Sequence, residues 1–256
     1  MSENPLTKPA AALTPLLFKL RRIWVSTRRR LHSRLEFQKS DDDFRQLFLW
    51  IDDETPSDVV AVLNRAEEMA NELAGLEQDT FCSGAPAKVD GEWVFRRLTS
   101  PVVAQTLMYQ LARILRPHWC VEMGSAFGIT SLAIAAAIDR NGEGHFDGIE
   151  YEKWKAEPAN RMLAPFKIHT GTIEEVFPRL LSETNQTLDL CYVDALHTYS
   201  DMVEYERLLG LAAGPGSVAV FDDIDFSRNT ERFWRELVEK VSCAALLDGR
   251  WGIVRY

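Results

Sequence analysis

The second half of the chain alternates short apolar runs with helical segments, and this alternation limits the fold more than any other feature. A helical pattern follows each of five strand-like runs: WCVEM (119–123), HFDGIE (145–150), FKIHTG (166–171), LDLCYVD (188–194) and SVAVFDD (217–223). The pattern predicts a mostly parallel sheet with helices on both faces. The chain then closes with two strand-like runs around Asp248-Gly249, which predicts a hairpin and an antiparallel last strand at the end of the sheet.

Three segments are expected along the 256 residues: a basic N-terminal arm (1–40), a helical extension or cap (41–95) and the α/β domain (96–256). Helix starts are indicated at Thr55-Pro56 and at Ser100-Pro101, because proline suits the first turn of a helix. The composition is 46% hydrophobic and 26% charged, which is typical of a soluble globular protein.

The charge is unevenly distributed. The net charge is -9, but residues 1–40 hold nine Lys and Arg against two acids, which leaves -16 for the remainder. An acidic domain argues against nucleic-acid binding. Residues 16–35 mix Leu, Ile and Trp with arginines, so a helix there can contact an anionic membrane or a partner, or simply pack on the domain. No membrane span or signal peptide is evident, and a cytoplasmic location is expected, with a membrane-peripheral location as the alternative.

The four cysteines are spread along the chain at Cys82, Cys120, Cys191 and Cys243. None of them forms a closely spaced pair, so a zinc site is not indicated. Reduced thiols in a cytoplasmic protein are the simplest account.

A glycine-bearing turn joins the first strand of the alternating region to its helix. In open α/β sheets, ligands bind beyond the carboxyl ends of the strands. A dinucleotide fingerprint starting at Gly124 would require glycines at 126 and 129, where the chain has Ala126 and Ile129. Glu122 and Glu150 end the first two strands of this region, and an acid in the second position can accept the hydroxyls of a ribose. A cationic, ribose-bearing ligand without phosphate fits this turn, and S-adenosylmethionine is one. The alternative is that the glycines serve tight packing alone.

The motifs VEMGSAFGITS, GIEYE, YVDALHTY and VAVFDDI, in this order, resemble those of class I S-adenosylmethionine-dependent methyltransferases, most closely the small-molecule O-methyltransferases of the macrolide-sugar and catechol type. The resemblance covers residues 96–256 and implies a Rossmann-like, doubly wound seven-stranded sheet with a reversed last strand. It implies a cofactor site made of Glu122, Gly124, Ser125, Ala126, Gly128, Glu150, Tyr151, Gly171, Thr172 and Asp194.

Three aspartates follow two strands that are expected to be neighbours: Asp194, Asp222 and Asp223. Packed carboxylates repel one another unless a cation joins them, and Mg²⁺ is the cation that prefers oxygen ligands. The resemblance implies the same metal site. The alternative is that one or two of these aspartates cap the following helices.

His197 lies three residues after Asp194, in a D-x-x-H-x-Y pattern that resembles the position of a catalytic base in the family. Histidine is the side chain whose ordinary pKa suits proton removal near neutral pH. The prediction is methyl transfer to a hydroxyl of a small molecule such as a sugar, polyketide or catechol, with His197 and Asp194 as catalytic residues and Mg²⁺ assisting. The alternative for His197 is a hydrogen bond at the start of a helix.

Two other functions remain open from the sequence. One is a nicotinamide-dependent oxidoreductase, which Ala126 and Ile129 argue against. The other is a protein with the methyltransferase fold that binds a partner or membrane through its basic arm without catalysis. The acceptor is not identified by the sequence, and neither is the oligomeric state, for which a homo-oligomer is one option.

Overall fold

The computed structural model describes residues 34–51, 54–73 and 101–256 of the chain. Eight strands are found in these ranges: β1 (Leu35–Lys39), β2 (Trp119–Met123), β3 (His145–Glu150), β4 (Lys167–Thr170), β5 (Leu188–Val193), β6 (Ala213–Phe221), β7 (Cys243–Leu247) and β8 (Trp251–Arg255). Most of the predicted basic arm (1–40) and the end of the predicted helical extension (41–95) therefore lie outside the described residues.

Eight helices accompany the strands within the same ranges. They are α1 (Asp42–Leu49), α2 (Ser57–Leu73), α3 (Val102–Leu115), α4 (Ile129–Asn141), α5 (Lys153–Leu163), α6 (Ile173–Glu183), α7 (Tyr199–Ala212) and α8 (Arg228–Lys240). Their ends follow local signals that are readable in the sequence. Thr172, Thr198 and Ser227 each cap a helix by accepting a hydrogen bond from a backbone N–H of its first turn. None of the described helices is long and apolar enough to cross a membrane.

The eight strands form one sheet in the order β1-β7-β8-β6-β5-β2-β3-β4. The five strands from β6 to β4 are parallel, whereas β8 runs antiparallel to both of its neighbours. The predicted Rossmann-like, mostly parallel sheet with a reversed last strand is confirmed. The expected place of that strand at the end of the sheet is wrong, because β8 inserts between β6 and β7.

The sheet has eight strands and not the predicted seven, because the strand β1 was not predicted as part of it. This strand pairs antiparallel with β7, although more than 200 residues separate the two strands along the chain. Phe37 packs edge-on against Phe44 and Phe48 of α1, so burial on one face helps to hold the strand. The backbone N–H of Asp248 donates to the carbonyl of Arg34, and the two side chains form an ion pair. These contacts tie the start of β1 to the turn between β7 and β8.

Helices cover both faces of the sheet, as the alternation predicts. On one face α1, α3 and α4 pack over residues such as Leu190, Tyr192 and Val220. On the other face α6, α7 and α8 pack over residues such as Val121, Ile149 and Phe221. A third cluster joins α2 and α5 to the turn after β2 through Phe127. Burial on both faces leaves the carboxyl ends of the central strands as the edge where side chains can meet a ligand.

Candidate active site

The turn between β2 and α4 is pressed against the end of β5. Gly124 has φ +90°, and a Cβ at this position would lie 2.1 Å from the backbone oxygen of Asp194. The N–H groups of Gly124 and Ser125 both donate to the carbonyl of Ile149 at 2.9 Å. Where two backbone segments approach this closely, only glycine fits, because it has no Cβ. Glycine at 124 is therefore required by the packing of the turn, which holds the turn and Asp194 side by side.

Two further residues of the turn have left-handed backbone conformations. Gly128, with φ +72°, is the N-cap residue that precedes α4, and a Cβ there would lie 2.6 Å from Cβ of Ala159. Ala126 has φ +45°, which is uncommon for a residue with a side chain. The turn thus takes the sharp course of a ligand-binding loop with alanine where the dinucleotide fingerprint has glycine.

Glu150, predicted to hold a ribose, lies against this turn. One carboxylate oxygen accepts a hydrogen bond from the N–H of Ala126 at 2.7 Å, and the other accepts from the N–H of Glu152 at 2.8 Å. The residue is 8% exposed, whereas the neighbouring Tyr151 is 72% exposed. The structure brings Glu150 and the turn together, and the carboxylate spans the gap between the ends of β2 and β3.

The remaining predicted cofactor residues occupy different positions. Glu122 is buried, and its carboxylate accepts from the hydroxyl of Ser131 in α4. Burial raises the pKa of Glu122 to about 7. Gly171 follows β4 and donates its N–H to the carbonyl of Glu150 at 3.0 Å, and the side chain of Thr172 is engaged as the cap of α6. Glu122 is thus bound inside the domain, whereas Gly171 lies beside Glu150.

The ends of β5 and β6 bring the predicted aspartates together. The N–H of Asp194 donates to Met123 and that of Asp222 donates to Val193, so the parallel ladder continues one residue past each strand. Asp194 is partly buried, and its pKa is raised well above the ordinary value by that burial and by the negative charge of Asp222. The pKa of Asp223 is raised by the same two causes. These carboxylates meet at a cost, which a bound cation would relieve.

Asp222 differs from the other two aspartates because both of its carboxylate oxygens already accept hydrogen bonds. The residue has no exposed surface, and its oxygens accept from the hydroxyl of Tyr192 at 2.6 Å and from the N–H of Asp223 at 2.7 Å. They also accept from Arg250, at 2.7 Å to Nε and 3.2 Å to Nη2. The carboxylate points into the protein and is committed to these three residues.

His197 lies between the other two aspartates. Its Nε2 is 3.8 Å from a carboxylate oxygen of Asp194 and 3.8 Å from one of Asp223. The atom is buried and has no hydrogen-bond partner, and the ring lies 5.5 Å from that of Phe226. One ligand atom from each of the three residues falls within 4.8 Å of the others, a spacing that a metal ion can bridge. The unpartnered nitrogen and the repelling carboxylates fit a cation or a hydroxyl group in the space between them.

Arg250 is the site residue that the sequence analysis missed. It follows Asp248 and Gly249 in the hairpin turn, and both of those residues have positive φ. Its side chain pairs with Asp222 and reaches Asp223 at 3.0 Å. Because β8 lies next to β6, the predicted hairpin brings its turn to the same edge as the aspartates. That geometry was the signal available in the sequence, but it depended on the position of β8 in the sheet.

Comparisons with known proteins agree with this geometry. Residues 121–224 match the model of a family described as a methyltransferase domain. Among solved structures, the O-methyltransferase TomG from Streptomyces achromogenes, in complex with SAM, aligns at a TM-score of 0.54 and 20% identity, over 75% of this chain and 87% of that one. The O-methyltransferase from Bacillus cereus, in complex with SAH, aligns at 0.54 and 14% identity, over 77% and 91%.

A third structure aligns over the whole chain. The SAH-bound methyltransferase PaMTH1 from Podospora anserina has a TM-score of 0.55 and 12% identity, with 100% of this chain and 99% of that one covered. A search of curated proteins found no match. At these identities the structures establish the fold alone. The resemblance inferred from the motifs is thereby confirmed at the level of the fold: residues 121–224 match the methyltransferase-domain model, and the chain has the fold of the class I S-adenosylmethionine-dependent methyltransferases.

Proposed function

We propose that this protein transfers a methyl group from S-adenosylmethionine to a hydroxyl oxygen of a small molecule. One observation carries the proposal: the turn after β2 contacts the backbone of Asp194, and Asp194, His197 and Asp223 converge beside it. A donor site and a group that can accept a proton are therefore neighbours at one edge of the sheet. Holding donor and acceptor at reacting distance is a large part of the acceleration that such an enzyme can supply.

The residues that would hold the cofactor are those around the turn. Gly124, Ser125, Ala126 and Gly128 shape it, and Glu150 borders it with a carboxylate that can accept ribose hydroxyls. Burial raises the pKa of Glu122 and of Asp194, and a positive sulfonium bound beside them would favour their charged forms. When bound, S-adenosylmethionine supplies the activated methyl group. Gly171 and Thr172 are proposed to border its adenine.

The proposed role of His197 is to take the proton of the acceptor hydroxyl. Its buried, unpartnered Nε2 faces Asp194 and Asp223 across 3.8 Å, which leaves room for a hydroxyl between them. The two carboxylates would stabilise the imidazolium that proton transfer produces. General-base catalysis of this kind contributes roughly 10²- to 10⁴-fold to a rate.

A divalent cation such as Mg²⁺ is proposed to assist. When bound, a cation lowers the pKa of a hydroxyl that it coordinates. Asp194 and Asp223 each offer a carboxylate oxygen within reach of one ion, which leaves His197 as the base. Asp222, the third predicted ligand, accepts hydrogen bonds from Arg250 and Tyr192, so it would have to release them to coordinate.

The surroundings of His197 support an acceptor with an apolar part. Leu196 precedes His197 in the chain, the ring of Phe226 lies 5.5 Å from that of His197, and both Leu196 and Phe226 are more than 60% exposed. Tyr151, which is 72% exposed, is proposed to lie next to the ribose of the cofactor. We also propose that the basic segment 16–35 contacts a membrane or a partner, and that the protein forms a homo-oligomer.

The proposal is tested by transfer of a labelled methyl group from S-adenosylmethionine to a panel of hydroxylated small molecules. His197→Gln is expected to lower turnover about 100-fold and to leave the affinity for S-adenosylmethionine unchanged, because His197 contacts the acceptor side. His118→Gln is the control, since His118 is exposed and lies at the opposite end of the sheet.

If a folded His197→Gln variant turns over as fast as the parent protein, His197 is not the general base. Binding of S-adenosylmethionine without transfer to any acceptor would favour a binding protein without catalysis. Parallel assays with a chelator would show whether a divalent cation takes part.

A further inference from the structure

We propose that Arg250 acts as a built-in competitor for divalent cations at the acidic edge of the sheet, and that it sets how tightly the site binds them. The inference concerns regulation of the site assigned above and so rests on the proposed function. Arg250 is a positioning residue, because it contacts the carboxylates of Asp222 and Asp223. It does not itself contact the proposed cation or acceptor.

The first support is the division of carboxylate oxygens. Arg250 takes both oxygens of Asp222 through Nε and Nη2, and Nη2 also lies 3.0 Å from one oxygen of Asp223. The other oxygen of Asp223 faces His197. A cation at the site therefore finds one oxygen of Asp223 engaged and Asp222 fully engaged. Mg²⁺ and Mn²⁺ prefer several carboxylate or carbonyl oxygens as ligands. The loss of these oxygens therefore weakens the binding of both ions.

The second support is charge. The guanidinium is a fixed positive charge that bridges two of the three aspartates, and charges in a partly buried site interact strongly. It neutralises part of the field that would attract a dication, and it repels the dication directly.

The third support is that the position of Arg250 is fixed by the fold. The carbonyl of Arg250 accepts from the N–H of Ile224 at 3.1 Å, which anchors the hairpin to the loop after β6. The guanidinium also lies 5.0 Å from the ring of Trp251. A side chain held at both its backbone and its head cannot swing away freely when a cation arrives, so the competition persists.

The experiment measures binding of Mn²⁺ by electron paramagnetic resonance, with Mg²⁺ as a competitor, on the full chain. Arg250→Gln is expected to raise Mn²⁺ affinity about tenfold or more, because it removes the positive charge and frees carboxylate oxygens. Arg250→Lys retains the charge but loses the two-pronged contact, and we expect its affinity to lie between the two.

Arg34→Gln is the matched control. Arg34 forms an ion pair with Asp248 in the same hairpin, whereas Arg250 pairs with Asp222 and Asp223 of the site. It should leave Mn²⁺ affinity unchanged, whereas an increase equal to that of Arg250→Gln would mean that a loosened hairpin is the cause, and would overturn the proposal.

The buried carboxylate of Asp222 loses its partner in Arg250→Gln, and this variant can fail to fold. The double variant Arg250→Gln, Asp222→Asn avoids that, since it leaves no unpaired charge at position 222 while still freeing Asp223. We expect it to bind Mn²⁺ about threefold more tightly than the parent. Unchanged Mn²⁺ affinity in the folded variants overturns the proposal. Titration of each variant with S-adenosylmethionine reports separately on the proposed function.

Discussion

The two halves of the candidate site are built in different ways. On the turn side, around Gly124 and Glu150, backbone N–H groups and glycines fix the geometry, and the carboxylate is satisfied by neighbouring backbone. On the acidic side, Asp194 and Asp223 repel one another, and Nε2 of His197 lacks a partner. The turn side is complete as the chain folds it. The acidic side gains from a ligand, and we expect the fold to tolerate changes there that it does not tolerate at the turn.

The largest expected effect is that of Gly124→Ala on the turn side. A Cβ would lie 2.1 Å from the oxygen of Asp194, and alanine is strained at φ +90°. We expect the free energy of unfolding to fall by about 3 kcal/mol or more, together with loss of S-adenosylmethionine binding. Thermal and denaturant unfolding, followed by calorimetric titration, measure the two effects.

Gly142→Ala is the matched control for backbone strain alone. Gly142 also has a positive φ, +74°, but nothing lies within 4 Å of its added Cβ. It should cost about 1 kcal/mol and leave cofactor binding intact. Equal losses in the two variants would show that the contact with Asp194 contributes nothing, and the turn would no longer stand out as the rigid half of the site.

A smaller effect of opposite sign is expected for Asp194→Asn on the acidic side. The folded-state pKa of Asp194 is raised, so the folded protein keeps a proton that the unfolded chain loses above about pH 4. Stability therefore falls as pH rises from that value towards the folded-state pKa. Asparagine carries no charge. We therefore expect the free energy of unfolding of the variant to be about 1 kcal/mol higher than that of the parent at pH 8 and equal to it near pH 4.

Asp189→Asn tests the same strand at its other end. The carboxylate of Asp189 accepts from the N–H groups of His118 and Trp119, at 2.7 and 3.3 Å, so it is hydrogen-bonded where Asp194 is not. This control should destabilise the protein. A loss of stability in Asp194→Asn at pH 8, comparable to that in Asp189→Asn, would refute the view that the acidic side opposes folding.

The central strands could be predicted closely from the sequence, because the signals for them lie within each strand and its flanking turns. WCVEM and HFDGIE coincide with β2 and β3, since short apolar runs between turn residues have few alternatives to buried strands. β1 was missed because its stability comes from β7, far along the chain, and from Phe44 and Phe48. A run of five residues beside a basic segment does not carry that information.

The site was predictable to the level of which strand ends converge. Parallel strands placed Glu150, Asp194 and the pair Asp222 and Asp223 at one edge. Which oxygens face the ligand was not predictable, because Asp222 turns inward to meet Tyr192 and Arg250. That choice depends on the insertion of β8 beside β6, which is a property of the whole sheet.

The central claim is tested most directly by calorimetric titration of the purified protein with S-adenosylmethionine and, separately, with NAD. The account predicts saturable one-to-one binding of S-adenosylmethionine and no binding of NAD, because the turn pairs an acid with the ribose position and lacks the glycines at 126 and 129. A folded protein that ignores S-adenosylmethionine, or that binds NAD more tightly, would contradict it.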